Sequence, residues 1–555
     1  HGKPRGKMTA AIFYHPEAYS TSGPQLMGRN AAGQSFLRGF LRSRSQQEFA
    51  LLVDDLNAIQ HFEQEFASYI DGAEIDVISR ANMERLGSKA VFYPGPQLEE
   101  PAWRREHFGS GLWSLCGITH TTSSAAAMDA IVSLMTAPVQ CWDALICTSK
   151  SVQSNVGAVL AAEKEYLESR FAATKFTLPQ MPVIPLGVDC DDFVATAEER
   201  LIARKNLRAT DDTLIVLYMG RLSFHAKAHP LAMYQALERA SAETQKTVVL
   251  IECGWFINKH VEEAFAEAAS SICPSIRVVR LDGRDDKQRR LAWSAADVFC
   301  SLSDNIQETF GITPIEAMAA GIPVVVSDWD GYRDSITHGR EGFLIPTRMP
   351  PAGEGENLAF RHAIGLDSYD RYCGYTSSSV AVDIGKATDA FVTLFQSAEL
   401  RTKFGTCGKE TARSRFDWSA VIPKYEELWA ELGAMRARSP AQSDSAKLRP
   451  ARLDPFASFS SYPTEILAHD TKVKLAAESV ALAEIQLKSI RELAMINFAD
   501  TVIPSQEAAI HILSLLQFGP LTVREIQEQR AKNPSSESCY KAIAWLAKVG
   551  LAEFT

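Results

Sequence analysis

Short apolar runs alternate with longer helical stretches, and they do so in two separate series; this constrains the fold more than any other feature. The first series is Ala10–Tyr14, Phe49–Val53, 90–93, 115–119 and 144–148, with a helix predicted near 30–42. The second is Leu214–Met219, 248–252, 276–281, Val298–Ser301 and 323–327, with helices predicted around 230–242, 261–271 and 287–295. Strands separated by helices imply parallel βαβ units. Two doubly wound domains in succession imply a cleft, where ligands bind outside the carboxyl ends of the strands.

A chain of 555 residues has room for about three to five domain-sized units. With 46% apolar and 22% charged residues it reads as an ordinary globular protein, large enough to bury its cores without a disulfide or metal staple. A net charge of −10 argues against bulk nucleic-acid binding. No apolar run approaches the ~18–20 residues of a membrane span. Met8 reads as the natural start, with 1–7 a basic leader and no signal-peptide core, so the expected location is cytoplasmic. The ten cysteines form no C-x-x-C pair and read as reduced, buried thiols.

The expected division is 8–205 as a first Rossmann-like domain on the acceptor side and 206–385 as a second on the donor side. Closing helices follow over 386–435, then a linker over 436–455 that is rich in Ser, Ala, Arg and Pro, and an all-α extension over 456–555. Within the extension, 471–499 has long helical periodicity. Helices at 506–516, 522–530 and 536–549 suggest a helix-turn-helix or winged-helix-like unit, with 551–554 a single strand lacking a full wing.

The stretch 307–326, QETFGITPIEAMAAGIPVVV, carries the most chemistry. Thr313 is suited to cap a helix, Pro314 to open it, and Glu316 to close a capping box, with Gly321 and Pro323 as stops. The amides of Phe310, Gly311 and Ile312 would precede the helix N-terminus and form an anion site suited to a diphosphate. A plainer reading stays open from the residues alone: Glu316 only a cap, Glu308 only a loop carboxylate. Gly220-Arg221-Leu222 and Lys227 put two cations on the loop after the first strand of the second series, within reach of a diphosphate leaving group or simply in solvent. His120 closes an apolar run of the first series, where a structural histidine is the plainer reading. Gly23 and Gly28 follow the first strand, where glycine lets backbone approach a phosphate.

Residues 308–326, with Ala296-Asp297-Val298-Phe299 before them, resemble the E-x7-E motif of retaining glycosyltransferases of family 4 (group 1), which have the GT-B fold. The resemblance covers roughly 8–435 and is strongest over 214–347. It implies that Glu308 contacts the donor sugar and Glu316 the nucleotide ribose. It also implies that Arg221 and Lys227 hold the diphosphate, that His120 faces the sugar across the cleft, and that Gly28 lies near the phosphates. Ala228 departs from the glycine usual after the lysine. Asp189-Cys190-Asp191 is similar to the family's interdomain connection, and Asp328-Trp329-Asp330 reads as a turn. No metal and no cofactor are therefore expected beyond a nucleotide-diphosphate sugar as donor substrate.

Arg29, Arg38, Arg42 and Arg44 accompany Phe36, Leu37, Phe40 and Leu41, a pattern that fits either a basic helix docking on anionic lipid or a core helix with a basic edge. The C-terminal unit is charge-balanced, which fits protein contact or self-association better than DNA reading; its apolar stripes Ile510, Leu513, Leu516 and Ile543, Leu546, Val549 suggest a homo-oligomer. The resulting expectation is a retaining transferase that moves a sugar to an acceptor glycan or glycolipid in envelope synthesis, peripheral at the inner face of the membrane. The alternatives are a soluble-acceptor sugar synthase and a non-catalytic scaffold for the C-terminal unit.

Overall fold

The computed structural model describes residues 10–20, 28–43, 48–70, 73–439, 449–530 and 538–555, and Gly23, Arg44 and the leader lie outside them. The chain forms two compact units that meet in sequence at Arg449–Pro450.

The first unit contains two six-stranded parallel sheets. One is built from β1 (Ala10–Tyr14), β2 (Phe49–Val53), β3 (Ile75–Ser79), β4 (Ala90–Phe92), β5 (Ser114–Ile118) and β6 (Ala144–Ile146), in the order β3-β2-β1-β4-β5-β6. The other is built from β7 (Leu214–Met219), β8 (Val248–Gly254), β9 (Arg277–Asp282), β10 (Val298–Ser301), β11 (Val324–Ser327) and β12 (Gly342–Ile345), in the order β12-β11-β10-β7-β8-β9. Each chain path starts in the middle, winds to one edge, then returns to wind to the other, which is the doubly wound plan. Strands β2, β7 and β8 are buried along their whole length, as strands covered by helices on both faces must be. The expected fold of two Rossmann-like domains facing a cleft is observed. Strands β3 and β12, which sequence reading passed over, each lie at one edge of their sheet, and both are only partly buried.

A buried ion pair locks the first domain: Arg105 reaches Asp143 with both guanidinium nitrogens, at 2.5 and 2.7 Å, and Asp143 also accepts the amides of Leu115 and Gln140. The helix Gly28–Ser43 packs Phe36, Leu37, Phe40 and Leu41 into this core, with the Phe36 ring 4.7 Å from that of Phe92. These four side chains are therefore not available to a lipid surface, and the core-helix alternative holds.

The helix Ala197–Asn206 belongs with the second domain, before the expected boundary at 206: Arg200 and Arg204 converge on Asp297, and Glu199 pairs with Arg290. The chain returns to the first domain through the helix Trp418–Arg438, which runs past the expected limit at 435. Arg436, expected in a linker, is buried and donates to Ser114 Oγ at 2.7 Å and to the Ser88 carbonyl. The outgoing and returning crossings touch. Val188 N donates to Phe416 O at 2.8 Å, and Trp418 N to Val188 O at 3.1 Å. The Trp418 indole fills the space where side chains at Gly39 and Gly187 would stand, and its Nε1 donates to Ser35 Oγ at 2.8 Å. Asp189 pairs with Arg42 and Asp191 with Arg413, so that acidic string braces the connection. Beyond β12, the strands β13 (Thr347–Arg348) and β14 (Ala381–Val382) form a short antiparallel ribbon.

The second unit corrects the expectation of an all-α extension. Its helices Val480–Arg491, Gln506–Leu515, Val523–Arg530 and Cys539–Lys548 are joined by three strands, β15 (Lys472–Leu475), β16 (Leu521–Thr522) and β17 (Ala552–Phe554), ordered β16-β15-β17 and antiparallel. Strand β15 replaces the start of the helix expected over 471–499. Val473 is fully buried between exposed Lys472 and half-buried Lys474, the period of a strand. Lys474 faces Glu553 across the sheet at 3.0 Å. Leu513, Leu516, Ile543 and Leu546, read as an assembly stripe, are buried in the unit's own core. Among the described residues no helix is long and apolar enough to cross a membrane.

Candidate functional site

The carboxyl ends of β7, β8 and β9 approach so closely that only glycine fits. A Cβ on Gly254 would lie 1.9 Å from the Gly220 carbonyl oxygen, and Gly220 itself has φ +148°. From Gly220 the chain enters the loop that carries both cations. Arg221 Nη2 donates to the Ala226 carbonyl at 3.0 Å, which curls the loop on itself. Asn305, fully buried, pins it from outside: its Nδ2 donates to the His225 carbonyl at 3.0 Å, its Oδ1 accepts the Gln307 amide, and its carbonyl accepts Trp329 Nε1 at 3.1 Å. Sequence reading missed Asn305, whose partners His225 and Trp329 lie 80 and 24 residues away in the chain.

This arrangement brings the expected residues together. Lys227 Nζ stands 3.4 Å from Glu308 Oε2. The next residue, Thr309, donates its hydroxyl to the His120 carbonyl at 2.7 Å, which carries the group across to the first domain. Further links span the cleft. Ser149 Oγ donates to Asp330 Oδ1 at 2.8 Å, the Lys150 amide to Asp334 Oδ2 at 2.7 Å, and Ser123 Oγ meets Tyr369 OH at 3.3 Å.

The helix after Glu308 differs in detail from expectation. It spans Ile312–Ala320 and opens at Gly311, whose φ of +79° and close contact with the Tyr332 ring exclude a side chain. Thr313 is thus inside the helix and no capping box forms. The N-terminus carries no side-chain cap, which leaves its first amides for an anion. Glu316, released from capping, sits a turn and a half in, and among the described residues it has no hydrogen-bond partner; burial raises its pKa to about 7, against the pull of Arg289. Asp330 has φ +43°, and burial raises its pKa to about 8, with the charges of Glu308 and Asp334 adding to the effect. Asp304, below the cation loop, is raised to about 7 by burial although it accepts the His229 amide. Gly28 opens the helix Gly28–Ser43. Among the described residues no three His, Cys, Asp or Glu side chains gather as a metal site.

The structure thus sets Lys227 against Glu308, four residues before an uncapped helix start, with Arg221 on the same loop as Lys227. Residues 199–352 match the family of glycosyl transferases group 1. The group 1 match contains Arg221, Lys227, Glu308, Phe310, Gly311, Ile312 and Glu316, while His120 and Gly28 lie outside it. The chain is 34% identical over 247 residues to a phosphatidyl-myo-inositol mannosyltransferase of Mycobacterium leprae, covering 44% of this chain and 52% of that protein. It is 29% identical over 201 residues to a D-inositol 3-phosphate glycosyltransferase of Xylanimonas cellulosilytica, covering 35% and 46%. The chain thus spans about half the length of the curated relatives it matches. In fold it is similar to the Anabaena protein HepE, solved in complex with UDP, with a TM-score of 0.50 at 13% identity, covering 76% of this chain and all of that one.

Proposed function

We propose that this protein is a retaining glycosyltransferase that moves a sugar from a nucleotide-diphosphate donor to an acceptor hydroxyl. The observation that supports the reading is the Lys227–Glu308 contact, four residues before the uncapped helix start, with Thr309 bonded to the His120 carbonyl of the first domain. Arg221, Lys227 and the amides from Phe310 to Ile312 would hold the diphosphate and stabilise its charge as the glycosidic bond breaks. Glu308 would accept from the sugar hydroxyls, and Glu316 from the ribose. His120 would face the sugar from the first domain. The departing phosphate oxygen would take the acceptor proton on the same face, which keeps the anomeric configuration and needs no enzymic base. On this reading fixed cations and amides do the work of a metal.

The acceptor would be a hydroxylated headgroup of the glycolipid kind. Support comes from the group 1 match and from relatives whose names carry phosphatidyl-myo-inositol or inositol phosphate. The reading is tested by donor hydrolysis with UDP-, GDP- and ADP-sugars, in wild type and in Arg221→Ala and Lys227→Ala. Turnover with one donor, with both variants weakening the nucleoside diphosphate more than the free nucleoside by calorimetry, bears it out. Equal losses for both ligands remove the diphosphate role, and no turnover with any donor favours the scaffold alternative.

A further inference from the structure

Between β13 and β14 the chain leaves the second domain and returns beside itself. This excursion begins where the group 1 match ends at 352, and it carries two helices, Glu356–Ala363 and Tyr369–Ser377. The pair is self-braced: Arg361 forks onto Asp367 at 2.7 and 2.8 Å, and the His362 and Tyr372 rings stack 4.4 Å apart. The second helix sits directly on the cation loop, where a Cβ on Gly374 would fall 2.9 Å from that of His225. One side of this helix faces the cleft, with Tyr369 at Ser123. Its other side walls a separate, open cavity of about 630 Å3, to which the helix Leu231–Thr244 contributes Leu231, Ala232 and Gln235. None of Arg221, Lys227, Glu308 and Glu316 lines that cavity.

Its chemistry is specific. The polar walls include His225, His229, Gln235, Asp304, Asp370 and Arg371. His229 Nδ1 accepts the Leu231 amide at 3.4 Å, so the neutral ring offers Nε2–H as a donor. Asp304 spends one oxygen on the His229 amide, which leaves the other for an occupant. Gln235 and Arg371 are planar, forked groups, the kind that bind two neighbouring hydroxyls at once. Asp370, 3.8 Å from His225 Nε2, offsets the charge of Arg371, and burial holds Asp304 toward its neutral form, so the lining carries little net charge. Phe224 and Tyr375 add flat apolar faces on which the C–H side of a sugar ring can lie. The volume falls within the ~300–1,000 Å3 usual for small-molecule sites.

We propose that this cavity is a second carbohydrate-binding site, separate from the transfer cleft, that takes a neutral saccharide of one or two rings. An occupant would touch both the loop that carries Lys227 and the helix that reaches Ser123, and would hold the two together. The binding claim is independent of the transfer reading.

The test is calorimetric titration of the full chain with maltose, sucrose and trehalose, in the wild type and in Gln235→Ala, Arg371→Ala and Glu308→Gln, each first shown to be folded by thermal unfolding. At least one disaccharide is expected to bind. Gln235→Ala and Arg371→Ala should each weaken it about tenfold, the size of one lost hydrogen bond to a well-placed partner, and Glu308→Gln should leave it unchanged. Binding of none of the three sugars overturns the proposal. So does binding that Glu308→Gln weakens while the two cavity variants do not, because the sugar would then sit in the cleft. No turnover is read, so failure here leaves the transfer reading standing.

Discussion

The hydroxyl of Thr309 is bonded to the carbonyl of His120, 2.7 Å away across the cleft, so the residue next to Glu308 in the chain anchors the site to the opposite domain. Glu308 is held on its other side by Lys227. It thus stands between an interdomain tether and the cation loop.

Glu308→Gln keeps the shape of the side chain and removes its charge. Turnover should fall about 10²–10³-fold, the cost of losing one charged contact made in the transition state, while nucleotide affinity stays within a few-fold. Steady-state rates and calorimetry on the same preparation check this; wild-type turnover would rule out the role.

Gly311→Ala places a methyl group in the Tyr332 ring at a backbone φ of +79°. A non-glycine residue there costs about 1–3 kcal/mol before the clash is counted. The urea midpoint should drop accordingly, and nucleoside diphosphate should bind more weakly because the helix start shifts. A variant as stable as the parent would show that the loop relaxes freely.

Burial raises Asp304 and Glu316 to about 7 and Asp330 to about 8, from ordinary values of 3.8, 4.5 and 3.8. Between those limits the folded protein holds protons that the unfolded chain has released, so stability falls as pH rises. His229, whose proton affinity burial lowers, acts in the opposite sense only below its ordinary 6.5. From pH 6.5 to 8 the unfolding midpoint should therefore decline, and Asp304→Asn should make the decline shallower. A flat or rising profile would contradict the burial of these carboxyls.

A chain ending after Ser439 should fold and turn over donor, because the candidate catalytic side chains and the returning helix are all present. Ending it after Met435 removes Arg436 and its bonds to Ser114 and Ser88, which should cost about 1.5–3 kcal/mol. Thermal unfolding of the two truncations separates these cases; equal stability would mean that Arg436 contributes nothing to the docking.

The parts legible from sequence are those whose cause is local. Strands such as Leu214–Met219 announce themselves because every residue is buried, whereas Ile75–Ser79 at a sheet edge does not. Glu308, Gly311 and Glu316 stand out as candidates because one short stretch contains them, but the helix starts earlier than its capping residues suggest: the left-handed Gly311 outranks Thr313 as the point of entry. Asn305, Asp330 and Tyr369 act through partners tens to hundreds of residues away, and no spacing rule exposes such meetings. Strand β15 was read as helix because four residues of alternation are outweighed by the helical period that follows.

The bonding of Val188 to Phe416 and Trp418 has a mechanical consequence. Two tethers fastened to each other act as a single pivot, leaving the two domains one easy motion, a swing about that line. Such a swing would break the contacts Thr309–His120, Ser149–Asp330 and Tyr369–Ser123 together. A ligand that strengthens any one of them raises the population in which all three are made.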